Sequence, residues 1–373
     1  MWALIFGAIF LAMGAGIWFL IYNIKQFSWV EVLSRKKKAL GWVISTAAVI
    51  LPTALIWVIL GYMNAIIILL HITIFWIIFE LIKYLIKKLS KKTFSRCWTG
   101  IAALAVTAVY LAIGWVQAYN VWETDYSVST EKNAGTLRVA LLADSHVGTT
   151  FSGAELSEYL TRIEKQQPDL LVIAGDFVDE DTAKADMLDV CRALKDIKTK
   201  YGVYFVFGNH DKGNYGNNRR GYTGDELVAE VEKNNVTVLQ DESILIDDRF
   251  YLIGRQDASE KNEFGGNRAK ISELTERLDK NKYMIVLDHQ PVDYDAEAKA
   301  GAYLVLSGHT HGGQMIPIMQ FSRWFNIGVN DNIYGMERRK DTDFIVTSGI
   351  SDWAIKFKTG CRSEYVMIDI NRK

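Results

Sequence analysis

Leu137-Arg-Val-Ala-Leu-Leu-Ala143 runs straight into Asp144-Ser-His146, so an apolar stretch of strand length ends on two residues with metal-binding side chains. The pattern recurs along the chain. Residues 169–174 lead into Gly175-Asp176-Phe-Val-Asp179, and 203–207 into Gly208-Asn209-His210-Asp211. Residues 283–287 lead into Asp288-His289, and 302–306 into Gly308-His309-Thr-His311-Gly-Gly-Gln314. Loops at the carboxyl ends of strands are where open α/β sheets place their ligands. The chain has 6 histidines, and all but His71 stand in these loops. A lone histidine is best explained by packing, but this arrangement is not. Carboxylate and imidazole donors together suit Mn, Fe or Zn better than Mg or Ca.

Between these runs, residues 154–166, 181–198, 224–234 and 267–279 have the periodicity of amphipathic helices. Residues 236–240, 244–246, 250–253, 344–347 and 365–370 read as further strands.

The first third is different. Half of all residues are hydrophobic, and before about residue 120 they form long apolar runs broken by lysine clusters. A helix needs about 20 apolar residues to cross a bilayer. Four segments meet this length: about 1–24, 39–60, 63–84 and 98–118. Residues 121–135 then read as a polar linker, with the soluble domain at 136–373. Lys25 and Arg35 to Lys38 lie between the first two segments, and Lys87, Lys88, Lys91, Lys92 and Arg96 between the last two. Positively charged loops stay cytoplasmic, so both chain ends and the soluble domain are expected outside the cytoplasm. His71, inside the third segment, has no partner acid or base in sequence and reads as a neutral histidine within the bundle. The formal net charge of −1 gives no bias towards nucleic acid. Cys97, Cys191 and Cys361 are too dispersed for a zinc ribbon and read as unpaired thiols.

The five motif blocks, taken in order, resemble those of the calcineurin-like metallophosphoesterase family. The membrane-anchored bacterial branch, similar to UDP-2,3-diacylglucosamine pyrophosphatases, matches best through Gly308-His-Thr-His-Gly-Gly-Gln314. The resemblance implies two packed β-sheets flanked by helices, preceded here by a four-helix transmembrane bundle. It implies two divalent metal ions, with Asp144, His146, Asp176 and His311 as ligands of the first. Asp176, Asn209, His289 and His309 would hold the second, Asp176 bridging. It implies a metal-bridging hydroxide as nucleophile, His210 as proton donor to the leaving oxygen, and Asp211 as the group that orients His210. Asp179 would support the site without ligating.

Arg219, Arg220 and Gln314 are candidates for substrate contact beside Asn209 and His210, and residues 319–339 for an apolar wall. The family's Arg-x-Gly-x-Pro-Pro-Glu element lacks its prolines in Lys356-Phe-Lys-Thr-Gly-Cys-Arg-Ser-Glu364. The expected activity is hydrolysis of a phosphoester or pyrophosphate in a lipid-linked or envelope substrate, with membrane lipids as partners and no nucleic acid. A membrane receptor or scaffold with a weakly catalytic domain is the alternative, and the complete ligand set counts against it.

Overall fold

A computed structural model describes residues 2–91, 97–216, 219–316, 320, 324 and 330–372. The chain forms two compact units, Met1–Gly114 and Trp115–Lys373.

The first unit is helical. Its elements are α1 (Trp2–Lys25), α2 (Ser28–Leu33), α3 (Lys38–Leu60), α4 (Tyr62–Ser90) and most of α5 (Trp98–Tyr119), whose last turn from Trp115 belongs to the second unit. Helices α3, α4 and α5 are long and apolar enough to cross a membrane, and α1 carries a shorter apolar stretch, Phe10–Lys25. Leu51, Leu55 and Val58 are exposed on α3, as suits side chains that face lipid. The protein is therefore a membrane protein. Its bundle interior holds Leu20, Val49, Leu69, Trp76 and Ala103. A Cβ on Gly100 would stand 2.6 Å from the Trp76 ring, so glycine lets α5 approach α4 closely. The His71 Nδ1 lies 2.8 Å from the Ile67 carbonyl and its ring stacks on Tyr110, which accounts for it structurally. Glu80 pairs with Lys83 and accepts from the Thr99 hydroxyl. Helix α4 extends past the expected 84, ending its last turn with Lys87 and Lys88. Lys92 and Arg96 lie outside the described residues.

The second unit contains two six-stranded sheets. One runs β1 (Trp122–Thr130), β12 (Glu364–Arg372), β2 (Leu137–Leu142), β3 (Leu170–Ala174), β4 (Val203–Val206), β5 (Val236–Val238) in spatial order. Strands β2 to β5 are parallel. The other runs β10 (Gly335–Arg339), β11 (Thr342–Val346), β9 (Leu304–Ser307), β8 (Tyr283–Leu287), β7 (Phe250–Gly254), β6 (Glu242–Ile246).

The span expected as a linker, 121–135, instead holds β1, which pairs in parallel with β12 from Trp122↔Glu364 to Thr130↔Arg372. As an edge strand it alternates polar with apolar residues and lacks the continuous apolar run of its buried neighbours.

Strand alternation sorts the side chains into layers. Val139 and Leu141 of β2 face the second sheet with Leu252, Ile285 and Leu306. Ala140 and Leu142 face the other way, under α6 (Gly153–Lys165), α7 (Lys184–Lys195) and α8 (Gly224–Lys233), which contribute Leu160, Val190 and Leu227. Ser152 and Thr223 start α6 and α8 with capping boxes closed by Glu155 and Glu226. The outer face of the second sheet packs on Ile271 of α10 (Ile271–Thr275) and Tyr294 of α11 (Tyr294–Ala300). Within the expected helix 267–279, only α10 is regular α-helix. Strands β2, β3, β4, β8 and β9 thus end together along one edge of the sandwich. Cys191 and Cys361 are both buried and unpaired.

Candidate metal centre

Each of those strands ends in a residue that must turn its side chain inward within one or two positions. Asp144, His146, Asp176, His309 and His311 accordingly take φ values of 53°, 36°, 50°, 70° and 46°. Left-handed backbone is costly for residues other than glycine and persists where surrounding structure enforces it, often at functional sites. Glycine is required where these loops approach: a Cβ on Gly308 would lie 2.7 Å from Asp144 Oδ2, and one on Gly349 2.6 Å from Asp144 Cβ.

The result is two ligand groups. Asp144, His146 and His311 form one; Asp176, His289 and His309 form the other; within each, the donor atoms lie within 4.8 Å of one another. One atom joins them. Asp176 Oδ2 lies 3.1 Å from His289 Nε2 and 3.6 Å from His146 Nε2. The Asn209 amide oxygen lies 2.9 Å from His309 Nδ1, which brings it to the second group.

Among the described residues, Asp144 Oδ2 and His146 Nε2 are buried without a hydrogen-bond partner, and His289 Nε2 faces the Asp176 carboxylate. Burial, with the nearby Asp176 charge, pushes the Asp144 carboxyl up to about 6. Orphaned donors of this kind, converging in a buried pocket, fit a pair of divalent cations. The ring orientations are set from behind, as is usual for metal-binding histidines. His289 Nδ1 lies 2.7 Å from the Ala174 carbonyl, and His311 Nδ1 3.3 Å from that of Ser351. Asp179 Oδ2 stands 3.5 Å from His146 Nδ1, while its other oxygen accepts from the Asp181 amide and the Thr182 hydroxyl.

Residues 137–313 match the calcineurin-like phosphoesterase family. An Aquifex aeolicus metallophosphoesterase is 31% identical over 193 residues, which cover 50% of this chain and 69% of the relative. The chain belongs to the calcineurin-like phosphoesterase family. A Campylobacter jejuni metallophosphoesterase is 27% identical over 64% of this chain and 60% of its own length. A Bos taurus transmembrane protein with metallophosphoesterase domain is 27% identical over 62% of this chain and 52% of its own. The chain therefore spans roughly half to two-thirds of the length of these last two relatives.

Around this calcineurin-like centre the structure redistributes several expected roles. His210 borders the site, its backbone N–H donating to Asp176 Oδ1 at 2.9 Å. Its Nδ1 lies 2.8 Å from Glu180 Oε2, so Glu180 orients the ring. Burial alone would lower the His210 pKa, but Asp176 and Glu180 outweigh it and push it up to about 9.

Asp211 does not orient His210. Its buried carboxylate accepts backbone N–H bonds from Asp176, Phe177, Val178 and Gly208 at 2.7–3.0 Å, which ties the loop after β3 to the loop after β4. Arg220 is likewise not a substrate contact: it is buried, and its guanidinium donates to the carbonyls of Asp211 and Tyr222. Arg219 is exposed and lines a cleft with His210. The Gln314 amide donates to the Ile355 carbonyl at 2.6 Å and its backbone carbonyl accepts from Thr359, so it anchors the C-terminal loop. In residues 319–339, Trp324 is exposed and Tyr334 hydrogen-bonds Glu364, while Phe325 lies outside the described residues.

Sequence reasoning missed Lys358. It is wholly buried, and its ammonium donates to the carbonyls of Ser348, Gly349 and Ser351 and to the Ser363 hydroxyl at 2.9–3.3 Å. It thereby holds the turn whose Gly349 abuts Asp144 and whose Ser351 meets His311. The motif element around Lys358 and Glu364 is structural, because Glu364 is spent on Thr124, Thr347, Ser348 and Tyr334. The departure from prolines there therefore carries no message about substrate.

Proposed function

We propose that the protein is a metal-dependent phosphoric ester hydrolase acting on a lipid-linked or cell-envelope phosphoester or pyrophosphate. The observation that carries this reading is Asp176 Oδ2, one carboxylate oxygen placed within reach of donors from both ligand groups. Asp144, His146, Asp176 and His311 would hold one divalent ion, and Asp176, Asn209, His289 and His309 the other. Manganese fits the donor set, with iron or zinc as alternatives. Such a pair supplies Lewis acidity at the phosphoryl oxygens and a nucleophile at neutral pH.

The chain's own residues do the rest. His210, its Nδ1 held by Glu180, gives its Nε2 proton to the leaving oxygen. Glu180 fixes which ring nitrogen faces the substrate. Asp211 and Lys358 keep the ligand loops in register. The apolar helices anchor the chain in a membrane, and the basic loops between them support a multi-pass arrangement in the cell membrane with the catalytic domain extracytoplasmic.

The test is a screen of purified full-length protein with manganese against simple phosphate mono- and diesters, followed by envelope lipid extracts. Turnover that Asp176→Asn abolishes is expected. Absence of turnover on every substrate, with both ions bound, would overturn the hydrolase reading.

A further inference from the structure

The space that His210 faces is walled by two more rings. The Tyr215 ring centroid lies 4.9 Å from that of His210 and the Trp353 centroid 5.6 Å, inclined at 47° and 38°. With Glu180, Asp181 and Arg219 they enclose an open cleft of about 610 Å³.

Tyr215 is fixed through its own side chain, and Trp353 through the backbone on either side of it. The Tyr215 hydroxyl donates to Glu263 Oε2 at 2.7 Å, its backbone N–H donates to Glu180 Oε1 at 3.2 Å, and Phe264 meets its face edge-on at 5.2 Å. Trp353 follows Asp352, whose N–H donates to the Thr150 hydroxyl at 3.2 Å. Two residues further on, the Ile355 carbonyl accepts from Gln314. Trp353 is nevertheless 44% exposed.

We infer that this cleft is the leaving-group subsite and that it selects a leaving group carrying a flat ring. The inference rests on the hydrolase reading, since it takes His210 as the proton donor. Glu180 occupies His210 Nδ1, which leaves Nε2 to reach the leaving oxygen. Hydrogen-bond reach to Nε2 then forces whatever is attached to that oxygen into the cleft. Aromatic walls lose little conformational freedom on binding and favour stacked or edge-on rings. A small alkoxide would leave both walls in water. A bare acyl chain would place apolar surface against Glu180, Asp181 and Arg219, where a ring with polar edges finds hydrogen-bond partners.

The experiment measures binding, so it stands apart from turnover. Dissociation constants of benzylphosphonate and ethylphosphonate, neither hydrolysable, are measured by calorimetry on the manganese-loaded full-length protein. The benzyl compound should bind roughly 5- to 150-fold more tightly, from about 0.5–1.5 kcal/mol per aromatic wall. Trp353→Ala should cut that preference by about 2- to 12-fold while leaving ethylphosphonate within about twofold, and Trp353→Phe should restore it. Equal affinity for the two ligands in the wild type, or equal weakening of both by Trp353→Ala, would overturn the subsite. Preference for the benzyl ligand without turnover of any ester would keep the subsite and remove only the hydrolase reading.

Discussion

Asp211→Ala separates a structural aspartate from one that orients a catalytic histidine. Its Oδ1 accepts from Phe177 and Val178, and its Oδ2 from Asp176 and Gly208. Truncation leaves four buried backbone donors without a partner. Each costs about 1–3 kcal/mol, so the total is on the order of 4 kcal/mol even if water recovers part of it. In a domain of this size about 1 kcal/mol moves the melting temperature by roughly 2–4 °C, which gives a drop of roughly 8–16 °C. The assay is near-UV circular dichroism of detergent-purified full-length protein against temperature, with metal content measured in parallel. Asp211→Asn should fall between, because its remaining oxygen still serves Phe177 and Val178 while its amide N–H₂ meets the other two donors head-on. If Asp211→Ala melts within about 2 °C of wild type yet loses activity, the reasoning from these bonds is wrong and the carboxylate acts through His210 after all.

Other consequences are open to the same kind of check. His210→Ala should keep both metals and lose about 10²- to 10⁴-fold in kcat on alkyl esters, much less on a nitrophenyl ester whose leaving oxygen scarcely needs a proton. Glu180→Gln should show the same leaving-group pattern more weakly, and equal losses on both ester types would contradict the proton-donor role. Lys358→Met leaves Asp352, 3.5 Å from the ammonium, as an unpaired buried acid and should destabilise the protein by roughly 3–5 kcal/mol in denaturant titrations, with Lys358→Arg recovering part. A reporter fused after residue 373 that works only in the cytoplasm should stay silent, and a signal there would invert the proposed topology.

The strands that carry the site were legible because burial on both faces makes them continuous apolar runs, and each ends in a chemically distinctive residue. Two of the four edge strands were not. Trp122–Thr130 and Gly335–Arg339 each bury little and carry charges, and the partner of the first lies at the far end of the chain. The cluster of acids and imidazoles was legible because each stands at a strand end, and the family resemblance supplied their grouping into two ligand sets. The supporting residues were not, because their roles depend on direction. Asp179, Glu180 and Asp181 are consecutive acids, and only the turn they form decides that Glu180 meets His210. Arg219 and Arg220 are adjacent, yet one is exposed and the other is locked under Asp211. Lys358 gave no sequence signal, since a lysine between apolar and small residues normally marks surface.

The metal centre depends most on Asp176 serving two ions at once. Elemental analysis of the full-length protein, purified without chelator and equilibrated with manganese, measures this directly. Two tightly held ions per wild-type chain are predicted, with occupancy lowered at both positions in Asp176→Asn. A wild-type protein that holds one ion or none, or an Asp176→Asn variant that still holds two, would contradict it.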